Sequence, residues 1–200
     1  MSFLEELREQ RWDDHRYYHH SRVNQSLHLL SALCFVAAYA LVAFNPVASV
    51  FLAWFVAMWS RQIGHFFFEP KTYDVVNQAT HEYKEQIKIG YNLRRKVVLL
   101  AIWAVTPFAL YADPTMLGLL EAPADWSGFV HNLSVMWLLL AAAALAFRTV
   151  QLFFIRDVRT GLVWATKILT DPFHDIKLYH KAPIALLRGE TIDEMIGQRH

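Results

Sequence analysis

The sequence predicts an all-α integral membrane protein, with four transmembrane helices and interfacial amphipathic helices at both ends, on three observations. Its 200 residues are 55% hydrophobic and 14% aromatic, yet 18% charged, a balance of apolar runs and polar segments rather than an even mixture. Four of the apolar runs approach the length of about 20 residues that a helix needs to cross a bilayer core of about 30 Å. The 19 Lys and Arg residues leave the two segments expected on the outer side without a single cation.

The elements follow in order. Residues 1 to 20 mix both charge signs and space Phe3, Leu4, Leu7 and Trp12 along one face, which predicts an amphipathic helix lying at the interface. The first span is expected over residues 23–44, with Ser21 as its N-cap, and Asn45-Pro46 turns the chain. The second span, 47–68, carries Arg61, Gln62 and His65 in its last turns and Glu69 just after, with His65 and Glu69 on one face. Residues 70 to 93 read as a polar cytosolic loop with room for a short surface helix, closed by Arg94-Arg95-Lys96. A third span, 97–112, contains Pro107, a kink tolerated in lipid where a neighbour satisfies the freed carbonyl. After an outer loop rich in Pro and Gly comes the fourth span, 129–155, whose Arg148 either snorkels or enters the bundle. The tail, 156–200, is amphipathic, and Asp171-Pro172 predicts the N-cap and opening proline of a short helix over 171–180. The whole forms one membrane domain, without repeats.

Orientation and exclusions come from charge. The cation asymmetry predicts a multi-pass protein with both termini and the middle loop cytosolic, and nine of the ten histidines then lie on that side, His131 being the exception. Compact loops and the absence of a retention signal favour a bacterial inner membrane over the endoplasmic reticulum. The acidic residues Glu5, Glu6, Asp13 and Asp14 argue against a cleavable leader. A formal net charge of +1 gives no reason to expect nucleic acid. The single cysteine, Cys34, excludes a disulfide within one chain.

The polar stretch Tyr18 to His28 stands at the mouth of the first span, where an unpartnered polar group costs roughly 2–7 kcal/mol. His19 or His20, His28 and His65 all reach one depth, and His174, flanked by Asp171 and Asp175, is a further ligand candidate from the tail. Neutral imidazoles suit iron, zinc or copper. Asn24, one turn before His28, and Glu69, one turn after His65, stand where they would orient the ligands. His15, His81, His131, His180 and His200 read more simply as hydrogen-bonding or headgroup-contacting side chains.

Tyr18-His19-His20, three residues, Asn24, three residues and His28 resembles the N-terminal signature of the 2-hydroxy fatty acid dioxygenase family, membrane proteins of phytosphingosine degradation. Gly64-His65, three residues and Glu69 is similar to that family's second signature. The chain departs from the pattern at Arg22-Val23, where the family has a proline, at Arg61, where it has glutamine, and at Lys71-Thr72-Tyr73-Asp74, where it has Pro-Ala after the glutamate. The resemblance implies Fe(II), with O2 as co-substrate and a fatty-acid-like lipid shortened by one carbon. It makes His19, His28 and His65 iron ligands, with His20 second to His19. Asn24 and Glu69 support them, and Arg61 is placed to take part of a substrate carboxylate's charge. Two other classes fit the same histidines: a di-iron fatty acid hydroxylase or desaturase, which needs more paired-histidine boxes, and a metal- or proton-linked transporter or assembly factor. The latter requires polar residues on the outer side, where the spans carry almost none.

Overall fold

The computed structural model describes residues 1–69 and 71–194; Pro70 and His200 fall outside them. Among the described residues eight helices follow one another: α1 (Phe3–Tyr18), α2 (Arg22–Leu41), α3 (Pro46–Phe68), α4 (His81–Ile87), α5 (Leu93–Ala112), α6 (Trp126–Ile155), α7 (Val158–Tyr179) and α8 (Ala182–Leu187). No strand occurs among the described residues. The all-α membrane class holds: α2, α3, α5 and α6 are long and apolar enough to cross a membrane.

Polar side chains start nearly all of these helices by accepting from backbone N–H groups that have no partner within the helix. Ser2 and Glu5 form a reciprocal capping box on α1. Ser21 caps α2, as its sequence position suggests, and Asn45, Thr80, Asn92, Asp125 and Asp157 cap α3 to α7. The spans begin one to four residues earlier than the apolar pattern alone indicates, because the caps precede the first hydrophobic residue. Pro107 lies inside α5, and the carbonyl it leaves without a helical donor, that of Trp103, accepts from Trp137 Nε1–H of α6 at 3.1 Å. Trp137 also joins Val50, Trp54, Leu110 and Leu133 in the buried apolar core. That core occupies the end of the bundle remote from Asn24 and His65.

Three expectations are corrected. The tail contains a single 22-residue helix, α7, begun by Asp157, whose side chain accepts from Thr160 N–H at 2.8 Å. Asp171 and Pro172 therefore sit inside it and start no helix. An internal proline costs roughly 3 kcal/mol, which the packing of α7 along both α2 and α6 offsets. Asp171 is held instead by Arg11 Nε at 3.3 Å and Lys167 Nζ at 3.1 Å.

The polar segment after α3 holds the short helix expected there, α4, but it does not lie free on the surface. It folds over the α1–α2 junction, where Lys84 is fully buried and donates to Tyr17 O at 3.2 Å while pairing with Asp74 at 3.0 Å. Tyr18 Oη–H donates to Lys84 O at 2.6 Å. Arg148 enters the bundle and donates from Nε to Ile89 O at 3.0 Å, which ties the end of this segment to α6.

The apolar face of α1 also differs. Phe3 and Leu4 are exposed, whereas Leu7, Gln10, His15, Tyr17 and Tyr18 are buried. A surface-lying helix would present its apolar stripe to lipid, but α1 packs across α7 and buries a mixed polar face. After α8 the chain returns to the α1–α2 junction, where Asp193 N–H donates to His20 O at 2.7 Å and its carboxylate pairs with Arg22 at 2.8 Å.

Candidate metal centre

Three helical termini meet at this junction. His19 follows the last residue of α1, His28 lies in the second turn of α2, and His65 lies near the end of α3, brought back by the Asn45-Pro46 turn. Their ligand nitrogens all lie within 4.8 Å of one another. Ring centroids are 4.1 Å apart for His19 and His28, 4.9 Å for His28 and His65, and 5.4 Å for His19 and His65. Nitrogens sharing one first-row metal, each at about 2.1 Å, stand somewhat closer than the widest of these separations.

Two of the imidazoles are hydrogen-bonded from behind, and the third faces a carboxylate. Glu69 Oε2 lies 2.8 Å from His65 Nδ1. Burial raises the Glu69 carboxyl's pKa against the opposing pull of Lys88. His19 Nδ1 lies 2.9 Å from the hydroxyl of Tyr179, which also reaches His15 Nδ1 at 3.1 Å. Burial pushes the Tyr179 phenol well above its ordinary range, with Asp175 adding to the effect, so it stays a neutral hydroxyl. Behind His28, Asp175 Oδ2 stands 3.7 Å from Nδ1, and Arg61 pairs with the same oxygen at 2.9 Å. Burial also lowers the His19 pKa well below its ordinary value, helped by the neighbouring His28, and keeps the ring neutral, the form that binds metal.

The remaining nitrogens test whether a metal fits. His19 Nε2 and both ring nitrogens of His28 are buried without a hydrogen bond, as is Asn24 Oδ1 beside them. Leaving such atoms unpaired costs roughly 1–3 kcal/mol each. A single cation would take up the lone pair of His19 Nε2 and that of His28 Nε2, while His28 Nδ1–H faces Asp175, and the all-nitrogen donor set suits a first-row transition metal. With Nδ1 committed to Glu69, His65 has Nε2 left for the same role. The carboxylates Glu69 and Asp175 stand behind the imidazoles, as orienting partners of metal-bound histidines do.

Backbone geometry closes the site. A Cβ on Gly64 would stand 2.2 Å from Asn24 Oδ1 and 3.5 Å from His28 Cδ2, so only glycine lets α3 approach α2 this closely. Gly64 opens a π-helical stretch, Gly64–Phe68, that contains His65; such stretches are frequent at functional sites. Asn24 contacts no ligand ring by hydrogen bond. Its Nδ2 donates to Tyr18 O at 2.8 Å, and Gln25 Nε2 donates to His19 O at 2.8 Å, so α2 fixes the backbone that presents His19.

The other candidates lie apart. His20 turns away to Asp74, with Nε2 to Oδ2 at 3.2 Å. His174 is partly buried on α7 and outside the converging group. Arg61 borders the site, with its guanidinium engaged by Asp175. Tyr179 and Asp175, which stand behind His19 and His28, are not marked by any motif in the sequence. Asp175 stands out in the sequence only as a flank of His174, and the i, i+4 spacing of Asp175 and Tyr179 is the available signal.

A cavity of about 350 Å³ opens beside His19 and His65. Its near wall carries charged and polar groups, and its far part runs between α5 and α6 past Leu100, Trp103 and Ala144. The volume falls within the roughly 300–1,000 Å³ of small-ligand sites.

Residues 6–80 match the family model described as 2-hydroxy-palmitic acid dioxygenase Mpo1-like. The matched segment holds α1, α2 and α3, and with them the three converging histidines, Asn24, Gly64 and Glu69. No curated protein and no solved structure matches the chain.

Proposed function

We propose, from the family match over residues 6–80, that this chain is an Fe(II)-dependent dioxygenase that shortens 2-hydroxy fatty acids by one carbon within the membrane. The observation that carries the reading is the set of three imidazoles, with unpartnered buried nitrogens, opening onto a cavity polar at one end and apolar at the other. His19, His28 and His65 would hold the iron. When bound, Fe(II) supplies O2 activation and lowers the pKa of a coordinated hydroxyl.

The chain's own residues do the positioning. Glu69 accepts from His65 Nδ1–H and fixes the tautomer that frees Nε2. Tyr179 accepts from His19 Nδ1–H and donates its own O–H to His15 Nδ1, so His19 Nε2 is free for metal. The Arg61–Asp175 pair faces the rear of His28. Apolar walls between α5 and α6 accept the acyl chain and keep water from the reacting end.

The concentration of cations beside the site supports a location at the cytosolic membrane face, with both termini on that side. Labelling a cysteine introduced at Lys71 in intact cells with an impermeant reagent checks this, and labelling from outside contradicts it.

Purified protein is expected to contain about one iron per chain and to consume O2 with 2-hydroxypalmitate. His28→Ala and His65→Ala should abolish both. Full activity in metal-free protein, or variants indistinguishable from the parent, refutes the assignment.

A further inference from the structure

Four cations line the cavity: Arg61, Lys88, Lys96 and Lys167. Three have anionic partners: Arg61 has Asp175 at 2.9 Å, Lys88 has Glu85 at 3.2 Å, and Lys167 has Asp171 at 3.1 Å. Lys96 has no ion pair or hydrogen bond from its side chain among the described residues. Glu69, which acts on it electrostatically, is already committed to His65. An ammonium at the edge of a hydrocarbon slab without a counter-ion is costly, and such groups in membrane proteins mark ligand paths.

The helix period gives the direction of the ligand. Lys96, Leu99, Leu100 and Trp103 stand at i, i+3, i+4 and i+7, so one face of α5 presents a cation followed by about two turns of apolar side chain. All four line the cavity, and Ala144 on α6 leaves the facing wall low. A cation, then about 10 Å of apolar lane, is complementary to an anionic head carrying one alkyl chain.

We propose that Lys96 binds the carboxylate of a long-chain acid whose chain lies along Leu99, Leu100 and Trp103 against Ala144. This deepens the oxygenase reading, on which the 2-hydroxy substituent alone depends, by assigning the anion anchor to a residue outside the segment that matches the family. Lys96 is a binding residue: it holds the head at the mouth of the lane, beside His65.

Binding separates the two readings, because it needs neither turnover nor O2. Full-length protein in nanodiscs, stripped of metal by chelator, is titrated with 2-hydroxypalmitate, palmitate, methyl palmitate and hexadecyl phosphate. Parent protein should bind the two acids at least tenfold more tightly than the ester, about 1.4 kcal/mol. Lys96→Met should lose that preference while ester binding is unchanged, and Lys96→Arg should retain most of it. Ala144→Phe, which fills the lane and leaves the charge, should weaken palmitate at least tenfold.

Equal binding of acid and ester by the parent protein overturns the proposal even if Lys96→Met does not fold. So does an unchanged preference in Lys96→Met, or hexadecyl phosphate binding tighter than both acids, which would assign the site to a phosphate headgroup. Palmitate affinity unmoved in Ala144→Phe overturns the lane. Acid selectivity that depends on Lys96, in a protein that never consumes O2, would uphold this inference and remove the oxygenase reading.

Discussion

Replacing Gly64 with alanine tests how closely α2 and α3 must approach for the histidines to share a ligand. The new Cβ would fall 2.2 Å from Asn24 Oδ1 and 3.2 Å from its Cγ. Asn24 is buried and donates to Tyr18 O, so its carboxamide has no free direction of retreat without losing that bond. Relief therefore requires the helices to part by about 1 Å, a displacement that at a reacting centre can cost about 10²-fold in rate. Overpacking of this kind costs roughly 1–3 kcal/mol, which lowers Tm by several degrees in a chain of this size. Because His65 follows Gly64 directly, the separation also carries its ring away from His28, now 4.9 Å distant between centroids. Gly64→Ala should thus lower both Tm and metal stoichiometry, the latter read by elemental analysis after dialysis. Asn24→Ala removes the obstructing atoms, so the double variant should lose less than the sum of the singles. Wild-type Tm and metal content in Gly64→Ala would refute the close-approach argument, and so would single effects that add to within about 0.5 kcal/mol.

Three further outcomes are expected. Glu69→Ala should weaken metal binding about 10- to 100-fold by freeing the His65 tautomer, with Glu69→Gln retaining part of the affinity because its amide oxygen still accepts; competition with a chromophoric chelator measures this. Tyr179→Phe removes the hydroxyl that meets His19 Nδ1 and should cost about 1–3 kcal/mol in stability, while a metal titration shows a smaller loss than His19→Ala. Asp74→Asn leaves Lys84 buried without its counter-ion and should cost about 3–5 kcal/mol. Burial would raise the Asp74 carboxyl, but hydrogen bonds from Asn77 and Lys84 hold it at about 2. Its stabilisation is therefore complete above the ordinary carboxylate range and lost as pH falls toward 2. A Tm series from pH 7 downward should show that loss in the parent and not in Asp74→Asn.

The four spans were legible because each needs only length and hydropathy, and the caps Ser21 and Asn45 announce themselves by residue type. The convergence of His28 and His65 was legible for the same reason: one turn at Asn45-Pro46 forces the end of α3 back beside the start of α2. What the sequence could not reveal is tertiary in origin. Asp171-Pro172 has the local chemistry of a helix start, and only packing of α7 on α2 and α6 carries the helix through it. Lys84 looks like a solvated surface residue, and its burial depends on Asp74 and the carbonyl of Tyr17, ten and 67 positions away. Residue type alone does not separate His20 from His19, and only the resemblance, through the spacing to Asn24, ranks His19 first. The turn after α1 decides between them, by sending one ring to Tyr179 and the other to Asp74.

The division of labour along the chain bears on how such a site is maintained. The segment matching the family contributes the three imidazoles and one of their supports, Glu69, whereas the groups behind His19 and His28 come from α7. Tyr179 and Asp175 lie four residues apart and so share one helical face, and α7 runs along α2, which carries His28. The same face continues to Asp171 and Lys167, which bind Arg11 and Asp14 of α1. A single helix thus fixes the end of α1, and with it His19, relative to α2. Substitutions that tilt α7, such as Gly161→Ala, where a Cβ would meet Phe153 at 2.6 Å, act on the histidines through this face although they lie near the other end of the helix.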